Sequence, residues 1–284
     1  MYFGCGTKEG SGTIDQGQHA SADGLHLLFA KGKRPDGAAI KEFVAGQSGL
    51  ILSHGPARST PMHLVVDEEA QEAPSNVKSR STDFVWAELL RDGLTYDLEG
   101  IAPGPACDFA ETEFRFDLDR APSASMYESL RLLPGQHLIG GANTIPIMRG
   151  MVGLARDITH HFEHVEVVIW PPAKCAIGRR FFESASTAWL EGGAFPALGL
   201  TAFKQTVDGA LQSVGLDFWV GQELRLEPPL AADKVSATRL GVRLVNHLVL
   251  AGKVEESERI VAPDGTRLVM RPSENQKFVR VWRD

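Results

Sequence analysis

A chain of 284 residues with 43% hydrophobic and 23% charged residues has the composition of a folded globular protein rather than a disordered one. Its formal net charge of −7 argues against a general affinity for nucleic acid or for anionic membranes, because a negative surface repels both. No stretch has the roughly eighteen apolar residues of a membrane span, and the N-terminus lacks the basic start and apolar core of a signal peptide.

The three cysteines, Cys5, Cys107 and Cys175, are far apart and show no C-x-x-C spacing. This pattern favours reduced thiols over a zinc knuckle, a redox pair or a disulfide framework. Residues 1–23 are rich in glycine, serine, threonine and glutamine, which predicts a flexible N-terminal segment. The sequence therefore predicts a soluble, cytoplasmic protein.

The N-terminal half, residues 24–120, is predicted to combine several strands with one short helix. Apolar runs predict strands at residues 25–30, 49–52, 62–66, 84–90, 95–101 and 113–118, and a helix at 36–45. Asp92-Gly93 lies between two of these runs and predicts a tight hairpin turn. The polar run 67–82 has no hydrophobic period and predicts an exposed loop or linker.

The stretch 138–170 contains the clearest scaffold, a βαβ-like unit. Asn143 and Thr144 offer capping oxygens, and Pro146 falls in the first helical turn. Apolar residues then recur at spacings of three and four, which predicts a helix with one buried face. The β-branched run 165–169 ends at two prolines and predicts an interior strand.

The C-terminal half, residues 130–284, repeats the mixture of helices and hairpins. Helices are predicted at residues 178–190 and 234–250, and strands at 195–207, 210–218, 260–261, 268–270 and 278–282. The order strand, helix, strand, strand follows both Leu25 and Leu138, so two similar packed halves and one continuous domain both remain open. The predicted class is α+β, with mixed or antiparallel sheets and three or four amphipathic helices.

Two segments of the C-terminal third, FPALGL (195–200) and SVGLDFWVGQELRLEP (213–228), resemble the C-terminal region of an uncharacterised bacterial family called domain of unknown function 4261. The resemblance depends on a G-L-x-x-x-x-G-x-E-L core at residues 215–224. It implies an accessory or immunity-like bacterial protein. The family carries no established activity, so the resemblance transfers no site residue.

His160, His161 and His164 form the densest group of potential metal ligands, with Glu163 and Glu166 beside them. If the helix continued through the group, His160 and His164 would share one face and could bind a divalent metal. The alternative is structural, because histidines near a helix C-terminus interact favourably with its free carbonyl groups.

The turn formed by Gly140, Gly141, Ala142, Asn143 and Thr144 precedes a helix N-terminus, where free N–H groups can bind a phosphate or carboxylate. The turn has neither the Walker ending nor the G-x-G-x-x-G spacing. A capped structural turn is the competing interpretation.

Three further sets of residues allow chemistry but have structural alternatives. Ser53 and His54, with Asp67 nearby, could form a hydrolase triad, although no G-x-S-x-G elbow is present. Cys175 could have a pKa lowered by Lys174, or it could be a buried inert thiol. The charged residues around Trp219 could include paired catalytic carboxylates or form the solvated face of a strand: Asp217, Glu223, Arg225 and Glu227.

The leading hypothesis from the sequence is a non-catalytic binding or interaction module with a protein partner, without nucleic acid, membrane or cofactor. One alternative is a metal-dependent hydrolase that uses His160, His161 and His164 with a divalent metal. The other is a small-anion or nucleotide binder at Gly140, Gly141, Asn143 and Thr144. No pattern specifies the oligomeric state.

Overall fold

The computed structural model describes residues 24–58, 84–262 and 264–284. Several predictions concern residues outside these ranges, namely the N-terminal segment 1–23, the strand 62–66, the polar run 67–82, and the side chains of Cys5 and Asp67.

The described ranges form fourteen strands and seven helices. The strands are β1 (Leu25–Ala30), β2 (Leu50–Arg58), β3 (Val85–Arg91), β4 (Leu94–Glu99), β5 (Phe114–Phe116), β6 (Tyr127–Pro134), β7 (Val165–Trp170), β8 (Cys175–Gly178), β9 (Ala202–Gln205), β10 (Leu211–Val214), β11 (Glu223–Leu226), β12 (Glu258–Val261), β13 (Arg267–Pro272) and β14 (Phe278–Arg283). The helices are α1 (Gly37–Ala45), α2 (Ile145–His161), α3 (Arg179–Leu190), α4 (Ala197–Leu200), α5 (Asp217–Val220), α6 (Pro228–Ala231) and α7 (Lys234–Ala251). The α+β class is confirmed, and four helices, α1, α2, α3 and α7, are nine residues or longer.

The strands form two sheets. The first has the order β2-β3-β4-β6-β1-β7-β8-β5, and the second has the order β12-β13-β14-β11-β10-β9. All neighbouring strands are antiparallel except β5 with β8 and β11 with β14, which are parallel. The predicted division at residues 120–130 falls inside the first sheet, because β6 pairs with β1 and β4. The sheets divide instead between β8 and β9.

The scaffold predicted at residues 138–170 is present, with a different start. Strand β6 ends at Pro134, before the predicted strand end at Leu138, because Gly135 and a 3₁₀ turn (Gln136–Gly141) follow it. Strands β6 and β7 both run antiparallel to β1, which lies between them, so α2 connects two parallel strands. Helix α2 buries Met151, Leu154 and Ile158 against this sheet.

The second sheet has α7 packed on one face. Strand residues on that face are fully buried, including Leu224, Val279 and Val281. Gly241 of α7 lies so close to Phe203 of β9 that a Cβ atom there would meet the ring at 2.7 Å. Glycine at this position therefore lets the helix approach the sheet.

Aromatic side chains join the two sheets. Trp170, at the end of β7, packs against Trp219 of α5 with ring centroids 5.9 Å apart. Its indole N–H donates a 2.9 Å hydrogen bond to the carbonyl of Leu200 in α4. The largest cluster of buried apolar side chains contains residues of both sheets, so the sheets share one core.

The strands predicted at 195–207 and 210–218 are shorter than expected. Pro196 and the positive φ of Gly199 produce the broken helical turn α4 before β9 begins at Ala202. Gly215, also at positive φ, ends β10, and the chain then forms α5.

Within the described ranges, no helix is long and apolar enough to cross a membrane.

Candidate functional site

The three histidines of the predicted metal site lie at the exposed end of α2 and in the loop after it. The side chain of His160 is 87% exposed, and that of His164 is 45% exposed. Each histidine contacts a different group: His160 lies 4.0 Å from Glu183 Oε1, and His164 lies 3.5 Å from Glu163 Oε1. The ring of His161 lies between those of Phe162 and Phe43, with centroids 4.7 and 5.1 Å away. In the part of the chain that the structure describes, no group of three or more His, Cys, Asp or Glu side chains is arranged to hold a metal ion. The metal site at these histidines stays a prediction.

The predicted anion-binding turn forms the end of a 3₁₀ turn and the start of α2. Gly140 and Gly141 belong to the 3₁₀ turn, and Thr144 is the N-cap residue, but its side chain makes no capping hydrogen bond. Asn143 donates instead from Nδ2 to the carbonyl of Phe218, 3.1 Å away, and so ties α2 to the second sheet. Pro146 removes one of the N–H donors that a helix N-terminus usually offers. Anion binding here stays a prediction.

The structure gives the nucleophile candidates other partners. The Ser53 hydroxyl donates to Glu88 Oε1 at 2.6 Å, and the His54 ring stacks on Trp86. Burial raises the pKa of the Cys175 thiol, in the direction opposite to the lowering considered from its neighbour Lys174. The inert interpretation of Cys175 therefore fits its surroundings.

Glu223 is a largely buried carboxylate with a structural role. It accepts hydrogen bonds from the Ser213 hydroxyl and from the backbone N–H of Gly215, at 2.6 Å in the second case. Burial raises its pKa to about 7, and the neighbouring Asp217 carboxyl acts in the same direction. Because its oxygens close the turn after β10, we assign Glu223 to folding.

Glu227 was interpreted as part of a solvated strand face, and this interpretation is wrong. The residue is only 5% exposed, and its Oε1 accepts a 2.6 Å hydrogen bond from Nε of Arg280. Nε of Arg225 lies 3.4 Å from the same oxygen. Two guanidinium groups compensate for the burial of this carboxylate.

The face of the second sheet opposite α7 carries a continuous row of cationic and polar side chains. Cross-strand pairing places five residues side by side on β9, β10, β11, β14 and β13: Lys204, Gln212, Arg225, Arg280 and Arg271. We call these five residues the cationic row. Gln212, Arg225 and Arg280 alternate along their strands with buried residues, so they point away from α7. The register places Lys204 and Arg271 on the same face.

A groove of about 520 Å³ lies beside the cationic row. Gln212, Arg225 and Arg280 line one side, and the loop between β13 and β14 lines the other with Ser273, Glu274 and Asn275. The row and its groove are the candidate functional site, because they combine an open sheet face with concentrated positive charge.

Only part of this site has a signal in the sequence. The segments ELRL and FVRVW alternate charged or aromatic residues with buried ones, which is typical of strands with one open face. The signal could not show that β11 pairs in parallel with β14, which places Arg225 beside Arg280.

Comparisons with protein-family models, with curated proteins and with solved structures gave no match. The resemblance of the C-terminal third to domain of unknown function 4261 stays a prediction.

Proposed function

We propose that the protein is a non-catalytic binding module that holds an acidic segment of a protein partner against the cationic row. The supporting observation is the direct cross-strand pairing of Arg225, Arg280 and Arg271. Like charges in such positions repel each other and destabilise a sheet. Glu227 offsets the repulsion between Arg225 and Arg280, but within the described ranges no carboxylate pairs with Arg271. Carboxylates supplied by a partner would offset the positive charge that remains.

The carboxylates of the chain compensate for only part of this charge. Glu227 serves both Arg225 and Arg280, and Asp208 pairs with Arg225. Within the described ranges, Lys204 and Arg271 form no ion pair, and both are exposed. The two ends of the cationic row therefore keep positive charge that is available to a partner.

Protein is favoured over nucleic acid as the source of the negative charge. Trp282 lies on the same face, but the guanidinium carbons of Arg280 and Arg271 stand 5.0 and 5.9 Å from its ring centroid. The ring is thus occupied by cations and is not free to stack on a base, as single-stranded nucleic acid requires. The net charge of −7 also opposes a continuous polyanion more than a short acidic segment.

The proposal can be tested by fluorescence anisotropy with a labelled oligoglutamate peptide, with an oligothymidylate of matched length as the competing class. We expect the peptide to bind at low salt and to dissociate as salt screens the charges. The double variant Lys204→Glu with Arg271→Glu should weaken binding by about tenfold or more. Both residues are exposed, so the variant should keep its fold.

The matched control is Lys31→Glu with Lys41→Glu, which makes the same charge change at exposed residues outside the second sheet. This variant should bind the peptide like the unaltered protein. Equal weakening by both variants would show a general charge effect and overturn the proposal. Tight binding of the oligothymidylate without binding of the peptide would assign the face to nucleic acid instead.

A further inference from the structure

A second polar cleft, distinct from the cationic row, lies on the helical side of the first sheet. Its volume is about 640 Å³, and it opens to solvent. The turn between β3 and β4, the first half of α2 and the C-terminal end of α3 form its walls. Three of its lining residues are arginines, Arg91, Arg149 and Arg156, and we call it the arginine cleft.

The guanidinium groups of the arginine cleft outnumber the carboxylate that holds them. Asp157 accepts from Arg91 Nη1 at 2.6 Å and from Nε and Nη2 of Arg156 at 3.0 and 2.8 Å. One carboxylate thus serves two arginines, and each arginine keeps further N–H donors beyond these bonds. The positive charge at this point exceeds what the Asp157 carboxylate neutralises.

Arg149 is fixed by neutral partners. Its two terminal nitrogens donate to the carbonyl groups of Trp189 and Leu190 at the end of α3, at 3.1 and 2.7 Å. Its guanidinium carbon lies 5.2 Å from the centroid of the Trp189 ring. No carboxylate in the described ranges pairs with Arg149, so its full positive charge remains at the cleft wall.

Packing requires only one of the two glycines that line the cleft. A Cβ atom at Gly150 would lie 2.0 Å from the hydroxyl of Tyr96, so packing requires glycine there. A Cβ atom at Gly153 would meet nothing closer than Leu190 Cδ1 at 3.6 Å, an ordinary contact. Because glycine inside a helix is unfavourable relative to alanine, packing does not explain Gly153. Its effect is to keep the cleft open beside Arg91.

We infer that the arginine cleft binds a small organic anion that carries one carboxylate or phosphate group on an apolar body. The guanidinium groups of Arg91 and Arg156 match the geometry of either anionic group. Leu94, Ile145 and Leu190 supply apolar contacts for the body of the ligand. Asp92 and Glu191 are exposed at the rim and disfavour ligands with several negative charges.

The inference can be tested by isothermal titration calorimetry with benzoate and phenyl phosphate. Neutral benzamide reports the apolar contribution, and inorganic phosphate reports the charge contribution alone. We expect at least one of the two organic anions to bind more tightly than both comparison compounds. The identity of the better anion separates the carboxylate and phosphate classes.

Two variants connect binding to the cleft. Arg156→Gln removes one guanidinium group while Arg91 still holds Asp157, and it should weaken binding by about tenfold. Gly153→Met should fill the cleft with a flexible apolar side chain and abolish binding. Arg180→Gln, at an exposed arginine of α3 outside the cleft, is the matched control and should bind normally.

Each result decides the question. Binding of an organic anion that is lost in Arg156→Gln and retained in Arg180→Gln supports the inference, whether or not Gly153→Met folds. Absence of binding by both anions, equal binding of benzamide, or equal loss in Arg180→Gln overturns it.

Discussion

Nε of Arg280 donates a 2.6 Å hydrogen bond to the carboxylate of Glu227, and this carboxylate is almost completely buried. Arg225, which lies on β11 two residues before Glu227, approaches the same carboxylate. The contact stabilises the second sheet, because it keeps two adjacent guanidinium groups compatible with folding. It also lowers the positive charge that the cationic row presents to a partner. Glu227 therefore stabilises the fold and, under the proposed function, weakens the binding of an acidic partner.

The first prediction uses the variant Glu227→Gln to separate the effect of this carboxylate on stability from its effect on binding. The neutral amide keeps the size of the side chain but loses the charged hydrogen bonds, so we expect the free energy of unfolding to fall by about 1–3 kcal/mol. Oligoglutamate should bind more tightly, because Arg225 and Arg280 lose their shared carboxylate. Urea unfolding and anisotropy measure the two effects, and Glu42→Gln, at an exposed position of α1 outside the second sheet, is the control. If Glu227→Gln lowered both the free energy of unfolding and the affinity for oligoglutamate, the proposed role of the cationic row would be contradicted.

Local patterns in the sequence predicted local structure well. The three- and four-residue spacing in α2, the β-branched run of β7 and the Asp92-Gly93 turn all correspond to observed elements. Each of these signals depends on residues close in the sequence, whose periodicity or turn geometry is set by the backbone.

The candidate sites could not be predicted in the same way. Glu227 and Arg280 are 53 residues apart, and their contact requires the parallel pairing of β11 with β14. Arg91 and Asp157 meet only because α2 packs across the hairpin of β3 and β4. Contacts between elements that are distant in the sequence determine both sites: strand pairing for the cationic row and helix packing for the arginine cleft. No local pattern contains that information. Arg149 and Arg156 lie off the apolar spacing of α2, but this spacing carries no information about their partners Trp189, Leu190 and Asp157.

The second prediction concerns the pH dependence of stability due to Glu223. Burial raises the pKa of this carboxyl from 4.5 to about 7 in the folded state. The folded protein then binds the proton more tightly than the unfolded chain, so stability from this group is highest below pH 4.5 and falls as pH rises towards 7. We expect Glu223→Gln to match the unaltered protein at pH 5 and to exceed it at pH 8 by up to about 3 kcal/mol.

Urea unfolding at the two pH values measures this difference. Burial also raises the pKa of Asp97, to about 6, so Asp97→Asn must be compared to separate the two carboxyls. A Glu223→Gln protein that is less stable at pH 8 would show that the hydrogen bonds from Ser213 and Gly215 outweigh the burial of charge.

The third prediction concerns His26, whose contribution to stability is lost as pH falls, whereas that of Glu223 is lost as pH rises. Burial in β1, with a smaller effect of the Arg131 charge, lowers the pKa of His26 from 6.5 to about 4. The folded protein excludes this proton, so stability from His26 is complete above pH 6.5 and is lost as pH falls towards 4. His26→Asn places a neutral amide near Ser129, the present hydrogen-bond partner of Nδ1.

We expect His26→Asn to reduce the free energy of unfolding at pH 8, because the smaller side chain leaves a cavity. We also expect the variant to lose less stability than the unaltered protein between pH 6.5 and pH 4, by up to about 3 kcal/mol. Unfolding free energies across this pH range measure the change in slope. An unchanged slope would mean that His26 takes up its proton at the same pH in the folded and unfolded states, and would contradict the lowered pKa.

The fourth prediction compares Gly150→Ala with Gly153→Ala, the same substitution one helical turn apart in α2. The Tyr96 hydroxyl donates a 2.9 Å hydrogen bond to the carbonyl of Ile147, and this places its oxygen where a Gly150 Cβ atom would lie. Gly150→Ala should therefore cost about 1–3 kcal/mol through overpacking. Gly153→Ala meets no close contact and should stabilise the helix by about 0.5–1 kcal/mol.

The double variant Tyr96→Phe with Gly150→Ala tests the cause of this difference. Removal of the hydroxyl eliminates the 2.0 Å contact and leaves the 3.0 Å contact with Cζ, so the double variant should be more stable than the sum of the single changes predicts. Thermal and urea unfolding of all four proteins provide the coupling energy. If the two changes were additive, the loss at Gly150 would have to come from helix geometry rather than from contact with Tyr96. The glycines of the arginine cleft would then no longer divide into one required by packing and one free of it.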